Sequence, residues 1–124
     1  MGREDQIQLE FPAAPEYGRV ARIAAAHIAQ RRGFSMTEID DLRLVMDEAA
    51  VMLLGPGTNG DRLIVTYSVG PDSVSVDARV VAESNVPIPA DSVERFHELV
   101  GDLIDTYTID REERRLVLAK HRAS

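Results

Sequence analysis

The chain of 124 residues has no cysteine and no tryptophan. The first absence removes disulfides, thiolate metal sites and cysteine nucleophiles together, and is compatible with a reducing cytosol. Cations are also in short supply: 14 Lys and Arg stand against 21 Asp and Glu, a net charge of −7. Nucleic-acid binding through phosphate neutralisation needs clustered Lys and Arg, so a direct nucleic-acid partner is not expected. No apolar run approaches the ~20 residues that cross a bilayer. The start, Met1-Gly2-Arg3-Glu4-Asp5, is polar and of mixed charge, unlike a signal peptide. A cytoplasmic protein without membrane contact is therefore expected. There is no internal repeat, low-complexity tract or long charge run. The one Gly/Pro-dense stretch, Gly55 to Gly60, is too short to separate a pair of domains. What is present, 44% hydrophobic and 28% charged residues, suits one self-sufficient domain over 1–124 with no need of a metal or disulfide staple.

Alternation of Ile7, Leu9 and Phe11 with polar residues predicts a half-buried strand over Gln6 to Phe11, stopped by Pro12 and Pro15. Glu16 to Arg32 reads as a helix closed by Gly33. Val20, Ile23, Ala24, His27 and Ile28 share its apolar arc, with Arg19, Arg22, Ala26, Ala29 and Gln30 on the other side. Ser35 and Glu38 have the form of a capping box. Behind them Ile39, Leu42, Val45, Met46, Ala49 and Leu53 continue a second helix to about Leu54. Leu63–Val69 and Val74–Val80 form a hairpin about Gly70-Pro71-Asp72. Val93, Phe96, Val100 and Leu103 give a third helix, capped by Asp91 or Ser92 and ending near Ile104. Thr106–Ile109 and Arg115–Ala119 suggest a closing hairpin. The order βααββαββ, with three amphipathic helices, packs most economically as an α+β two-layer sandwich: a mostly antiparallel sheet with helices on one face.

Chemistry-bearing residues are few. Glu48 lies opposite the main apolar arc of the second helix, yet Leu44 and Met52 stand one turn away on either side. Two readings are open: a general base with its pKa raised by desolvation, or a helix-surface carboxylate near a covered rim. His27, His97 and His121 have no metal-ligand spacing. His27 reads as a packed core or boundary histidine and the other two as surface groups. No serine has nucleophile-elbow context, so no hydrolase is assigned. Gly55, Gly57 and Gly60 lead into a strand rather than a helix, and after Pro71 only Gly101 remains, which leaves no anion loop there.

The element order, together with Asp41-Leu42-Arg43-Leu44-Val45-Met46-Asp47-Glu48, resembles the ATPase-like anti-sigma factors. These are serine-kinase-type switch proteins of bacterial stress and sporulation control, of the GHKL superfamily that includes histidine kinases and gyrase. The resemblance runs from Leu9-Glu10-Phe11-Pro12 to the closing hairpin. It implies that Glu48 matches the catalytic glutamate. The position of the magnesium-holding asparagine falls on Met52, whose thioether is a poor ligand for hard Mg²⁺. The adenine-recognising Asp-x-Gly-x-Gly motif should fall near Val80, Ala82 and Ser84, none of which keeps its residue. The lid's glycine motif should fall within Ser92-Val93-Glu94-Arg95-Phe96, which has no glycine.

Three elements of one pocket are thus missing together, which points to a scaffold kept and a nucleotide lost. Neither ATP nor Mg²⁺ is expected as cofactor, and Glu48 reads as a relic. The implied role is sequestration of a sigma factor by a homodimer, countered by a STAS-domain antagonist (an anti-anti-sigma factor). Arg19, Arg22 and Ala26, with Ala29, are the expected partner-binding face, set against the plainer reading of a solvated helix. Two alternatives stay open: an active ATP-dependent serine kinase with Glu48 as base, and a domain that binds another protein or a small ligand in the eroded pocket.

Overall fold

Alternating side chains and unbroken pairing build the sheet. In the computed structural model, which describes residues 5–55, 60–83 and 86–123, the strands are β1 (Asp5–Pro12), β2 (Arg62–Val69), β3 (Ser73–Val81), β4 (Thr106–Asp110) and β5 (Arg115–His121). All neighbours are antiparallel, in the order β1-β2-β3-β5-β4. The register aligns Leu9, Val65, Ala78 and Leu116 in one row, and Ile7, Tyr67, Val76 and Leu118 in the next. These rows face the helices and, apart from the exposed Ile7, belong to the core. The opposite face carries Gln8, Thr66 and Asp77 in register, which keeps it polar and half-exposed.

The helices are α1 (Gly18–Arg31), α2 (Met36–Leu54) and α3 (Ala90–Val100), with single 3₁₀ turns at Pro15–Tyr17 and Gly101–Leu103. The expected element order and two-layer α+β architecture are therefore found. The expected loop residues Pro56 to Asn59 lie outside the described residues, as do Met1 to Glu4 and Ser84.

Helix α2 follows its sequence pattern closely, since Ile39, Leu42, Val45, Met46, Ala49 and Leu53 are all buried. Its capping box is complete: Glu38 N–H donates to Ser35 Oγ at 3.1 Å, and Ser35 N–H donates to Glu38 Oε1 at 2.7 Å. Ala123 N–H adds a bond to Glu38 Oε2 at 2.7 Å. The Ser35 and Ala123 backbone donors hold the Glu38 carboxyl below the usual carboxylate range. A carboxyl held low in the folded state stabilises above its ordinary pKa, and that contribution is lost as pH falls through the lowered value. Glu38→Gln is accordingly expected to flatten the decline of Tm in acid, read from melts between neutral and acidic pH. Ser35→Ala is expected to cost about 1 kcal/mol.

Helix α1 departs from expectation. Its buried residues are Gly18, Ala21, Ala25, Ala26, Ile28 and Ala29, while Val20 is 44% and Ile23 60% exposed. His27 is exposed as well, not packed in the core. The reason is closeness of approach: a Cβ on Gly18 would stand 2.9 Å from Ala50 Cβ of α2, so only small side chains fit between the two helices. Tyr67 Oη, buried on β2, pins α1 from beneath by donating to Ala21 O at 2.8 Å.

Helix α3 is also entered differently from the expected Asp91 or Ser92 cap. Pro89 occupies the N-cap position with no side-chain cap bond, and Val100 ends the helix before the 3₁₀ turn. The lead-in segment is anchored instead by buried Ile88. Its N–H donates to Arg111 O at 2.9 Å, and its carbonyl accepts from Arg111 Nε at 2.8 Å.

Candidate functional site

Two adjacent carboxylates on α2 point to different neighbours. Asp47 faces α1, where Arg22 Nη1 donates to its two oxygens at 3.2 and 3.1 Å. Glu48 faces α3. Its side chain is only 16% exposed, and Arg95 Nη1 lies 3.0 Å from Oε1 in an ion pair. That oxygen is shielded from solvent and the approach is not aligned as a hydrogen bond. The carboxylate is thus held against a cation of its own chain. Of the apolar neighbours expected around it, Met52 is buried and Leu44 is exposed.

Met52, Val80 and Ala82, three further positions of the expected nucleotide site, are apolar and packed. Met52 is 4% exposed within the core, Val80 is buried on the helix-facing row of β3, and Ala82 packs against the same cluster. Ser84 is not among the described residues. Met52, Val80 and Ala82 offer no oxygen donor, so this set does not fit Mg²⁺-nucleotide held by the family's route. Among the described residues, no group of three or more His, Asp or Glu is placed to hold a metal ion, and no helix is long and apolar enough to cross a membrane.

Arg19 and Arg22 come together on a groove of about 310 Å³ between the start of α1 and the end of α2, lined also by Gly18, Asp47, Val51 and Leu54. Arg19 is exposed, whereas Arg22 is engaged by Asp47. Ala26 and Ala29 do not join them. Ala26 is 6% exposed and Ala29 fully buried, because this side of α1 is the side that packs inward. The outward neighbours of Arg19 are Val20 and Ile23.

Sequence reasoning missed the arginines that tie these elements together. Arg114, in the turn between β4 and β5 with φ +49°, donates from Nη2 to Leu53 O at 2.7 Å and so caps the end of α2. Its Nη1 stands 3.8 Å from the buried Asp61, and the Arg114 side chain is itself only 12% exposed. Lys120 was likewise missed, although the alternation Leu116, Leu118, Lys120 on β5 puts it inward. There its Nζ donates to Leu103 O at 2.8 Å.

No protein-family model matches the sequence. A serine-protein kinase RsbW from Oceanobacillus iheyensis is 43% identical over 131 aligned positions, covering 90% of this chain and 83% of that protein. The chain belongs to the RsbW family of GHKL-type anti-sigma factors. Another RsbW, from Bacillus velezensis, is 26% identical over 110 positions, covering 86% of this chain and 65% of that protein. RsbW proteins of Listeria monocytogenes are 35% identical over 75 positions. The matched region spans 58% of this chain and about half, 48%, of those Listeria proteins. Membership in the RsbW family accords with the five-stranded antiparallel sheet and its three helices.

Proposed function

We propose that this RsbW-family chain is a non-catalytic regulator: a cytoplasmic anti-sigma factor that sequesters a sigma factor as a homodimer, is countered by a STAS-domain antagonist, and has lost its nucleotide site. The observation that carries the loss is the pairing of Glu48 with Arg95. A carboxylate already neutralised by an arginine of its own chain is poorly placed to take a proton from a substrate hydroxyl. The apolar surroundings of Met52 support the same reading.

Partner binding is assigned to the outward face of α1. Arg19, Val20 and Ile23 present a cation beside exposed aliphatic side chains, on a chain whose net charge is −7. Such a face suits an amphipathic helix with acidic flanks. Arg22 contributes indirectly, by holding α1 to Asp47 beside that face. Ala26 has no direct role in it.

A second reading has two observations in its favour: Glu48 is retained, and the relatives are named serine-protein kinases. In it the chain phosphorylates a serine of its antagonist, which requires Mg²⁺-ATP to be held without an oxygen ligand at position 52.

The experiment is complex formation, by size exclusion, with the sigma factors of the source organism, run beside a phosphate-transfer assay on its STAS-domain proteins. One sigma factor is expected to bind. Arg19→Glu and Ile23→Glu are each expected to weaken it about tenfold, or roughly 1.4 kcal/mol. No phosphate transfer is expected. Transfer that Glu48→Gln abolishes would establish the kinase instead.

A further inference from the structure

Helices α2 and α3 lie side by side and run in opposite directions. Arg114 ties the end of α2, at Leu53 O, to the β4–β5 turn, and Arg111 of the same turn holds Ile88 at the entry of α3. At the other end Lys120 donates to Leu103 O just past α3, and its charge adds to the backbone donors that lower the carboxyl of Glu38 in the first turn of α2. The Glu48–Arg95 pair crosses the seam between the helices. Leu44 stands one turn before Glu48 and Leu99 one turn after Arg95, so both fall on the same side of that pair. They are 46% and 49% exposed, leucines that the fold leaves uncovered. Met52 and Val80 lie on the other side of the pair, toward Arg114, whose carbonyl accepts from Val80 N–H.

Carboxylates surround these leucines. Asp41 precedes Leu44 by one turn, Glu98 adjoins Leu99, and Asp102 follows Leu99 by one turn. None of the three forms an ion pair with any described residue. The neighbouring arginines are engaged, Arg95 by Glu48 and Arg43 by Asp40 at 3.0 Å. His97, the basic residue in the last turn of α3, is bonded to Tyr107 Oη. Glu98 and Asp102 stand where the fold itself disfavours them, because a helix C-terminus carries partial negative charge and prefers cations. Burial, and then the charge of Asp102, hold the Tyr107 hydroxyl above its ordinary range, as an uncompensated negative field would.

We propose that the seam of α2 and α3 binds a basic amphipathic helix of a partner protein. Its aliphatic stripe lies over Leu44 and Leu99, and Lys or Arg on its flanks meet Asp41, Glu98 and Asp102. A helix fits because two antiparallel helices leave between their ridges a groove that a third can follow. A basic one fits because the rim is anionic and its own arginines are already paired. The Arg19, Val20 and Ile23 face suits a partner of the opposite charge, so the two sites select different segments and neither depends on the other.

The test titrates the ¹⁵N-labelled full chain with the peptide acetyl-Ala-Lys-Leu-Ala-Lys-Leu-Leu-Ala-Lys-Leu-Ala-Lys-amide and follows amide shifts. A peptide of the same composition with its leucine stripe scrambled is run beside it. Shifts are expected within residues 40–48 and 95–104, and the scrambled peptide is expected to bind about tenfold more weakly. Leu99→Ser should weaken binding about tenfold, and Leu44→Ser supplies the same comparison from the other helix. Glu98→Lys combined with Asp102→Lys should weaken it by a similar factor and reduce its dependence on salt. Arg19→Glu should leave the titration unchanged. Absence of shifts at millimolar peptide, shifts centred on α1, equal binding of the scrambled peptide, or unaltered affinity of both serine variants would overturn the proposal. So would broadening of the seam's amide signals with rising concentration of the free chain, which would assign the leucines to a second copy.

Discussion

Replacing Met52 with asparagine, the residue that the resemblance to GHKL-type anti-sigma factors implies for this position, is expected to lower stability by about 3 kcal/mol and to bring no Mg²⁺-ATP affinity with it. The loss has two sources. The shorter side chain leaves a void in a core where Met52 is 4% exposed, and its amide enters surroundings formed largely by aliphatic side chains. A change of that size lowers Tm by on the order of 10 °C in a domain this small. Adding Arg95→Ala, to release Glu48, is expected to destabilise further, since a carboxylate oxygen already screened from solvent would lose its counter-charge. Thermal melts and nucleotide titration of the single and double variants check both halves. A Met52→Asn protein of unchanged Tm that gained Mg²⁺-dependent nucleotide binding would show that the pocket is one substitution from function.

Arg114→Met is expected to cost about 2–3 kcal/mol, although it keeps much of the aliphatic bulk. The guanidinium serves two acceptors at once, the Leu53 carbonyl at the end of α2 and Asp61 ahead of β2, and little water reaches either. Arg114→Lys should recover only a fraction of the loss, because an ammonium lacks the forked donors that reach both. Urea unfolding with unchanged m-value would register a stability effect without a change in the surface exposed on unfolding. A Met variant as stable as the parent would mean that water already satisfies the α2 terminus.

How far the fold was legible depended on which residues carried the burial. Helix α2 was readable because large apolar side chains recur at helical spacing behind a complete capping box, and both features point to the same face. The first hairpin was readable because Val65, Tyr67, Val76 and Ala78 alternate with Thr66, Ser68, Ser75, Asp77 and Arg79 about a Gly-Pro-Asp turn. In α1 the weight of hydrophobicity misled. Val20 and Ile23 outrank alanine on any transfer scale, yet the inward face is made of residues small enough to lie against α2. The spacing Gly18, Ala21, Ala25, Ala29 is the signal that would have found it.

The candidate site was only partly legible. The glutamate at position 48 and the apolar residues at 52, 80 and 82 are facts of sequence. The pairing of Glu48 with Arg95 joins residues 47 positions apart, and arises only when α3 is laid beside α2. The role of Arg114 has the same origin, a long-range contact 61 residues from its acceptor. His97 was read correctly as a surface group, but its bond to Tyr107 Oη across the Gly101 turn could not be seen before β4 was placed. Local pattern reports an element's inner face when side-chain size and hydrophobicity agree. It is silent on which charged side chains meet across the fold.

The most direct measurement is thermal unfolding of the full chain with and without millimolar Mg²⁺-ATP. A ligand present at 100 times its Kd adds roughly 2.7 kcal/mol to the folded state, which would raise Tm by on the order of 10 °C. With Glu48 engaged by Arg95 and Met52 in the core, the expected result is an unchanged Tm. A rise that grew with ATP concentration and vanished without Mg²⁺ would contradict the loss of the nucleotide site and restore the kinase reading.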